Sequence, residues 1–164
     1  MKTLLVVRHA KSSWEDSSLD DFHRPLNERG EKDAPRMGKR LYEKRLNPDL
    51  VLTSPAIRAF NTALAIAEIL KIPSAHIKAE QKLYHASEDT LLNFLRKSPD
   101  AADCIMLVGH NPGLTGFVND LLDEDIDNIP TAGVVMAQLD IPSWKDAQWK
   151  CGELLFFDYP KLKA

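Results

Sequence analysis

Basic and imidazole side chains follow three short apolar segments of the chain, at the point where each segment ends. The sequence places Arg8 and His9 after residues 4–7, Arg58 shortly after residues 49–53, and His110 after residues 104–108. In open α/β sheets, ligands bind in the crevice beyond the carboxyl ends of the strands. Each side chain taken alone reads as an ordinary polar residue, but three such strand ends together predict a binding site for an anion.

The residue types at these positions suit phosphoryl transfer, which needs accurate positioning and positive charge around the phosphate oxygens. Arg8 and Arg58 are the predicted phosphate ligands, because a guanidinium group binds two phosphate oxygens at once. His9 is the predicted nucleophile, since a histidine has a reference pKa of about 6.5 and can present an unprotonated ring nitrogen at neutral pH. His110 is predicted to donate a hydrogen bond to the phosphate as charge spreads in the transition state.

Strands that alternate with helices are needed to position these residues, and the apolar pattern predicts them. Strands are expected near residues 4–7, 49–53, 76–79, 104–108, 133–139 and 148–159, and helices near residues 28–45, 54–70, 87–97 and 113–122. The last two strands are expected to pair as antiparallel neighbours. Residues 1–164 are therefore predicted to form one α/β domain of three layers, α/β/α, with a mainly parallel sheet and helices on both faces.

Local signals add details to this scaffold. Asn27 is the predicted cap of the first helix, Pro35 is expected to kink that helix or delay its start, and Pro55 is expected in the first turn of the second. The two cysteines, Cys104 and Cys151, are expected to be reduced core thiols. The three tryptophans either build a partner surface or pack in the core or at its rim, and packing is the preferred interpretation.

The overall composition excludes several function classes. The 164 residues are 44% hydrophobic and 27% charged, with a net charge of −3, which is typical of a globular domain and argues against a general nucleic-acid binder. The apolar run before Arg8 is too short for a signal peptide or a membrane span. A cytoplasmic monomer without membrane or nucleic-acid partners is therefore expected. No metal and no cofactor are expected, because the five histidines do not pair at ligand spacing.

Four sequence blocks carry a resemblance to a known family. The blocks are Leu-Val-Val-Arg-His-Ala at 5–10, Arg-Pro-Leu-Asn-Glu-Arg-Gly at 24–30, Ser-Pro-Ala-Ile-Arg-Ala at 54–59 with Thr62, and Val-Gly-His-Asn-Pro at 108–112. In this order they resemble the histidine phosphatase superfamily, over roughly residues 3–122. The segment Arg-His-Ala-Lys-Ser-Ser-Trp at 8–14 and the short length are most similar to the SixA-like phosphohistidine phosphatases.

This resemblance implies a phosphoglycerate mutase-like fold and a phosphorylated protein, carrying phosphohistidine, as substrate. It implies His9 as nucleophile, Arg8 and Arg58 as phosphate ligands, and His110 as the second histidine of the pocket. Many members have glycine at the position of Ala10, so the turn after His9 is expected to keep a negative φ or to be slightly displaced.

The general acid of the site has three candidates in the sequence. Larger relatives use an insertion that roofs the pocket, whereas about seven residues separate Glu80 from the helix predicted near residue 87, so an open site is expected. Phosphohistidine needs less acid assistance than a phosphate ester, because a protonated imidazole leaves readily. The candidate donors are Asp21, Glu80 and His85, and Asp21 is preferred for its spacing to the Arg24 block.

Two other functions are kept open. A phosphomonoesterase acting on a small metabolite would use the same residues on a different substrate. A phosphate-binding module without turnover would bind phosphate tightly but form no covalent adduct on His9. A cysteine phosphatase is excluded, because neither Cys104 nor Cys151 has an arginine six positions later.

Overall fold

A six-stranded mixed sheet forms the centre of the protein, which a computed structural model describes over residues 1–162. Its strands are β1 (Lys2–Arg8), β2 (Leu50–Thr53), β3 (Ile77–Ala79), β4 (Cys104–Gly109), β5 (Val134–Leu139) and β6 (Gly152–Asp158), in the order β3-β2-β4-β1-β5-β6. The main helices are α1 (Glu28–Glu43), α2 (Ile57–Leu70), α3 (Glu88–Arg96) and α4 (Gly113–Leu122). The first four strands in that order are parallel, and β5 and β6 pair antiparallel as predicted.

The two faces of the sheet carry separate apolar cores, because successive side chains of a strand point to opposite faces. Leu4 and Val6 of β1 belong to the core that also contains the buried leucines of α3 and α4. Leu5 and Val7 belong to the core that contains the buried alanines of α1 and α2. This arrangement confirms the predicted three-layer α/β/α fold with helices on both faces of a mainly parallel sheet.

Two proline predictions need correction. Helix α1 begins at Glu28, with the Asn27 side chain accepting a hydrogen bond from the Gly30 N–H at 2.8 Å, as expected for its cap. Pro35 does not delay the helix but lies inside it; it lacks the N–H that the Glu31 carbonyl would accept, and burial of α1 against α2 offsets that loss. Helix α2 begins at Ile57, so Pro55 precedes it and does not occupy its first turn.

The cysteines and tryptophans are less uniformly buried than expected. Cys104 and Cys151 are free thiols that pack at the edges of the two cores and are only half-buried. Trp144 is fully buried and Trp149 packs against the core, as predicted. Trp14, in contrast, is 75% exposed, because it lies in the loop after β1 rather than against the sheet. Of the helices within residues 1–162, none is long and apolar enough to cross a membrane.

Candidate active site

Adjacent parallel strands bring His9 and His110 side by side. Arg8 at the end of β1 is paired in register with Gly109 at the end of β4, and the His9 N–H donates to the Gly109 carbonyl at 3.1 Å. The next residue of each strand is a histidine, so the two rings lie beyond the same edge of the sheet. Their centroids are 5.2 Å apart.

The third strand end contributes Ser54 and Arg58 to the same place. The Ser54 N–H donates to the Val108 carbonyl of β4 at 3.0 Å, which continues the β2–β4 pairing past the end of β2. The Ser54 hydroxyl and Nε2 of His110 share a hydrogen bond of 2.7 Å. Arg58 in the first turn of α2 is 2% exposed, so its guanidinium is held at the floor of the site.

A cavity of about 360 Å³ connects these residues. Its lining consists of Arg8, His9, Lys11, Ser12, Trp14, Asp21, Arg24, Arg58, His85, His110, Asn111 and Thr131. Four of these side chains are cationic and one is a carboxylate, although the whole chain has a net charge of −3. The cavity contains all five predicted site residues and has an excess of positive charge, which are the features expected of a local anion site.

Unused hydrogen-bond donors mark the arginines of this cavity. Within residues 1–162, the buried side-chain nitrogen and oxygen atoms that have no hydrogen-bond partner are Arg8 Nε, Arg24 Nη1 and Arg58 Nε. A buried donor left unpaired costs roughly 1–3 kcal/mol, and more when it is charged. All three donors belong to one site, so an anion bound there would supply acceptors that the protein itself does not provide.

His9 is held as a neutral imidazole with one free ring nitrogen. Its Nδ1 lies 2.7 Å from the Ala10 carbonyl oxygen, which can only accept, so Nδ1 carries the proton and Nε2 is left unprotonated. Burial, together with the charges of Arg58, Arg8 and Arg24, lowers the pKa of His9 to about 4, although the hydrogen bond to Ala10 acts in the opposite direction. At neutral pH, Nε2 therefore has a lone pair available for attack.

Ala10, where many relatives have glycine, does not disturb this turn. It is not among the residues with positive φ, as the sequence predicted. Its N–H donates to Oγ1 of Thr62 at 2.9 Å, and that hydroxyl donates to the Arg58 carbonyl at 2.7 Å. Thr62 therefore ties the turn after His9 to the helix that carries Arg58.

His110 differs from His9 because both of its ring nitrogens are engaged. Besides the bond to Ser54, its Nδ1 lies 3.4 Å from Nη2 of Arg58, a group that can only donate. Burial, with the charges of His9 and Arg58, lowers the pKa of His110 to about 2. His110 is thus neutral in this state, and the predicted donation to a phosphate requires the proton or tautomer shift that a bound anion favours.

Asp21 lies at the centre of a hydrogen-bond network. Its Oδ2 accepts from Nη2 of Arg58 at 2.9 Å and from the Tyr84 hydroxyl at 2.6 Å, and lies 2.9 Å from Nε2 of His85. Burial alone would raise the pKa of Asp21, but the hydrogen bonds from Tyr84, His85 and Arg58 hold it well below its usual range. An ionised carboxylate cannot donate a proton, so this environment suits the positioning of Arg58 better than the acid role predicted for Asp21.

The other two candidate acids are separated by the fold. Glu80 lines a different cavity, with Asn93 and Phe94, because it follows β3, the edge strand of the sheet, two positions away from β4. His85 lines the candidate site, adopts a left-handed φ of 50° and stacks near His110 with ring centroids 4.7 Å apart. Of the two, only His85 is placed where a substrate would bind.

Sequence reasoning pointed to Ser54 and Thr62 but missed their contacts with His110 and Ala10, and it missed Tyr84 altogether. A Ser-Pro pair after a buried strand was the available signal for Ser54, while nothing local distinguishes Tyr84. Within residues 1–162, no group of three His, Cys, Asp or Glu side chains is close enough together to hold a metal ion.

Comparison with known sequences places the site in a family context. The family model of the histidine phosphatase superfamily (branch 1) matches residues 4–83. An uncharacterized chloroplast protein of Arabidopsis thaliana is 30% identical over 155 residues, which cover 89% of this chain and 70% of that protein. Residues 4–83, which the family model matches, include three of the four blocks identified in the sequence.

Solved structures share the fold over almost the whole chain. The crystal structure of a protein assigned as the phosphohistidine phosphatase SixA from Agrobacterium tumefaciens is 26% identical, with a TM-score of 0.83 over 97% of this chain and 98% of that one. The protein histidine phosphatase SixA complexed with tungstate is 19% identical, with a TM-score of 0.82 over 96% and 97% of the two chains. The phosphoglycerate mutase-like fold predicted from the sequence is confirmed by this similarity.

Proposed function

Because the chain belongs to the histidine phosphatase superfamily, we propose that it is a metal-independent phosphatase that removes phosphate from phosphohistidine in proteins, through a covalent intermediate on His9. The observation that carries this proposal is the cavity in which buried guanidinium donors without acceptors surround a neutral histidine with a free Nε2. Such a site is built for a group that is anionic and electrophilic at once, which is the description of a phosphoryl group.

Binding comes first and uses the arginines. Nη1 of Arg8 donates to the Ile129 carbonyl at 3.0 Å. Nη1 and Nη2 of Arg58 donate to the carbonyl and to Oδ2 of Asp21. These contacts fix the guanidinium planes and leave Nε of each arginine for phosphate oxygens. Since the groups are already oriented, little entropy is lost when the phosphate binds.

Transfer then uses His9. Its Nε2 lone pair forms a bond to phosphorus, while the bond from phosphorus to the ring nitrogen of the substrate histidine breaks and its electron pair returns to that ring. A substrate imidazole whose other nitrogen is protonated leaves as a neutral ring, so no strong general acid is required. His110, 5.2 Å from the His9 ring, donates to the phosphoryl oxygens as negative charge collects on them.

Hydrolysis returns the enzyme to its starting state. Water attacks phosphorus, the bond from phosphorus to Nε2 of His9 breaks, and inorganic phosphate leaves with the oxygen from water. One proton from the water is released to solvent or to the phosphate. His9 recovers its neutral form because Nδ1 keeps its proton throughout and donates it in a hydrogen bond to the Ala10 carbonyl.

The shape of the mouth supports a protein substrate. The segment between β3 and α3 contains only one short turn, Gln81–Leu83, and the side chains of Asp21 and His85 at the mouth are 40% and 49% exposed. A phosphorylated side chain on another protein can reach such a site from outside. The ionised state of Asp21 also favours a substrate that needs no strong acid.

The test is phosphate release from a phosphohistidine peptide, a phosphoserine peptide and a sugar phosphate, each with a chelator present. We expect turnover of the phosphohistidine peptide, a fall of at least about a thousandfold in His9→Ala, and a trapped phosphoenzyme that is labile in acid and stable in alkali. His76→Ala is the matched control. His76 is an exposed histidine just before β3, at the amino ends of the parallel strands, whereas the site lies at their carboxyl ends.

The alternatives give different outcomes in the same assay. Faster turnover of the sugar phosphate, still dependent on His9, would make the protein a phosphomonoesterase for a small metabolite. Phosphate binding without release from any substrate would make it a phosphate-binding module.

A further inference from the structure

Trp14 is an exposed aromatic residue at the mouth of the candidate active site. It is 75% exposed and lines the cavity with His9 and Arg58. The Cζ atom of Arg24 lies 3.4 Å from the centroid of the indole ring, so one face of the ring stacks on the guanidinium and the other is free. Tryptophan is one of the residue types enriched at binding interfaces, where its large ring buries much area.

Arg24 is a buried cation with an unused donor. It is 7% exposed, and its Nε and Nη2 lie 3.3 Å and 3.2 Å from Oδ1 of Asp21. Its Nη1 is buried and has no partner within residues 1–162. The mechanism described above assigns no function to this guanidinium, although it lines the same cavity as the nucleophile.

The loop that carries the two residues is held in place before any ligand binds. The Ser13 N–H donates to the Pro25 carbonyl at 2.8 Å, and the Asn27 N–H donates to the Lys11 carbonyl at 2.9 Å. Helix α1 packs so closely on this loop that a Cβ at Gly30 would overlap the Lys11 carbonyl oxygen. The stack of Trp14 on Arg24 is therefore preorganised, which lowers the entropy lost on binding.

We propose that Trp14 and Arg24 form a substrate-binding subsite, in which Arg24 Nη1 binds an oxygen of the phosphoryl group and the free indole face packs against the ring of the phosphorylated histidine. The subsite rests on the proposed function, because it names the part of the phosphoprotein that this site recognises. A flat imidazole stacks well on an indole, and its protonated form adds a cation–π attraction. A phosphoserine side chain has no ring and gains nothing from Trp14.

The position of Arg24 is consistent with a phosphate ligand. Its charge is one of those that lower the pKa of His9, so the guanidinium and the imidazole act on the same region of the cavity. Asp21 binds one edge of the guanidinium and orients the remaining donor. Arg24 would then be the third arginine, after Arg8 and Arg58, to complete its hydrogen bonds on the phosphoryl group.

The experiment measures binding by calorimetry in the His9→Ala protein, which removes turnover from the measurement. The probes are orthovanadate, a phosphohistidine peptide, and phosphoramidate, which has the same phosphorus–nitrogen bond without a ring. Arg24→Gln should weaken binding of all three about tenfold to hundredfold, since a charge-assisted hydrogen bond is lost. Trp14→Ala should weaken the peptide about three- to tenfold and phosphoramidate less than twofold.

Conservative and distant variants make the result specific. Trp14→Phe should restore most of the peptide affinity, because a phenyl ring also stacks. Tyr42→Ala removes an exposed aromatic ring whose centroid lies 5.9 Å from Lys71 Nζ. Arg45→Gln removes an exposed arginine. Both residues precede β2, at the amino ends of the parallel strands and away from the site. Neither control should change any of the three affinities.

Two outcomes would overturn the proposal. If Arg24→Gln leaves orthovanadate binding within twofold, Arg24 serves only as the partner of Asp21. If Trp14→Ala weakens phosphoramidate and the peptide equally, the indole holds Arg24 in place and does not contact the substrate ring. Failure of the proposed function would look different, because these binding constants come from the His9→Ala protein and are obtained whether or not the unmodified protein releases phosphate.

Discussion

The two ends of the sheet bury cations in opposite ways. At the amino end, Lys2 is 4% exposed and its ammonium donates to the Asp100 and Ala102 carbonyls at 2.8 Å and 3.3 Å and to Oδ1 of Asp103 at 3.2 Å. An ammonium has three donors, so Lys2 is fully satisfied. At the carboxyl end, Arg8, Arg24 and Arg58 each keep a buried donor that has no partner among residues 1–162.

This difference separates a structural cation from a binding cation. Burial of a charge is tolerated when the protein completes its hydrogen bonds, and Lys2 meets that condition. The arginines do not meet it, and under the proposed function the resulting loss of free energy would be recovered when a phosphoryl group binds. Burial alone is therefore a poor indicator of function, whereas burial with unused donors around one cavity is a strong one.

The largest effect is expected at the carboxyl end. Arg58→Gln should lower kcat/KM for phosphate release by about a hundredfold to a thousandfold, as does the loss of one preorganised donor to a developing charge. Steady-state kinetics of the phosphohistidine peptide measure this change, with Arg45→Gln as the matched control. A fall in kcat/KM of less than threefold would mean that Arg58 does not bind the phosphoryl group, and the contrast between Lys2 and the arginines would not hold.

At the amino end the effect should fall on stability. Lys2→Met removes the donors of two backbone carbonyls and one carboxylate, so the free energy of unfolding should decrease by about 1–3 kcal/mol. Denaturant unfolding measures this, and kcat/KM should stay within twofold of the unmodified protein. Loss of activity in a folded Lys2→Met protein would contradict the assignment of Lys2 as structural.

Asp21→Asn sharpens the description of the carboxyl end. If the carboxylate positions Arg58 and Arg24, the change should lower kcat/KM about tenfold for phosphohistidine and phosphoserine peptides alike, since both bind the same guanidinium groups. If Asp21 is the general acid first predicted, the loss should be much larger for phosphoserine, whose alkoxide needs a proton. The ratio of the losses in kcat/KM for the two peptides therefore shows whether Asp21 positions the arginines or donates a proton.

The smallest effect is the pH dependence of stability. The folded-state pKa values of His9 and His110 are lowered to about 4 and about 2, below the unfolded value of about 6.5. The unfolded chain therefore binds more protons below that value, and stability should fall as the pH drops from about 6.5 towards 4. Unfolding midpoints between pH 7.5 and 5 measure this.

The matched control for that prediction is a double variant. His9→Gln with His110→Gln should show a flatter pH dependence than the unmodified protein over the same range, because neither site then titrates. Equal slopes would mean that these two histidines are not the source of the dependence.

The fold and the central site were largely predictable from local patterns. Apolar runs of three to five residues that end at Arg8, Thr53 and Gly109 indicated buried parallel strands, and parallel strands place their carboxyl ends at one edge. The blocks around His9, Arg58 and His110 therefore pointed to one location without knowledge of the strand order. Helix boundaries near proline were predicted less well, because packing of α1 against α2 outweighs the local preference of Pro35.

What the sequence determined by itself is the set of strands, their polar ends and the residue types that suit a phosphoryl group. The tertiary structure alone decided that Asp21 meets Arg58, Tyr84 and His85, that Glu80 lines a different cavity, and that Trp14 stacks on Arg24. The physical reason is the range of the interactions. Strand and helix patterns depend on neighbours a few residues apart, whereas ionisation and hydrogen-bond saturation depend on groups that the chain brings together from distant positions.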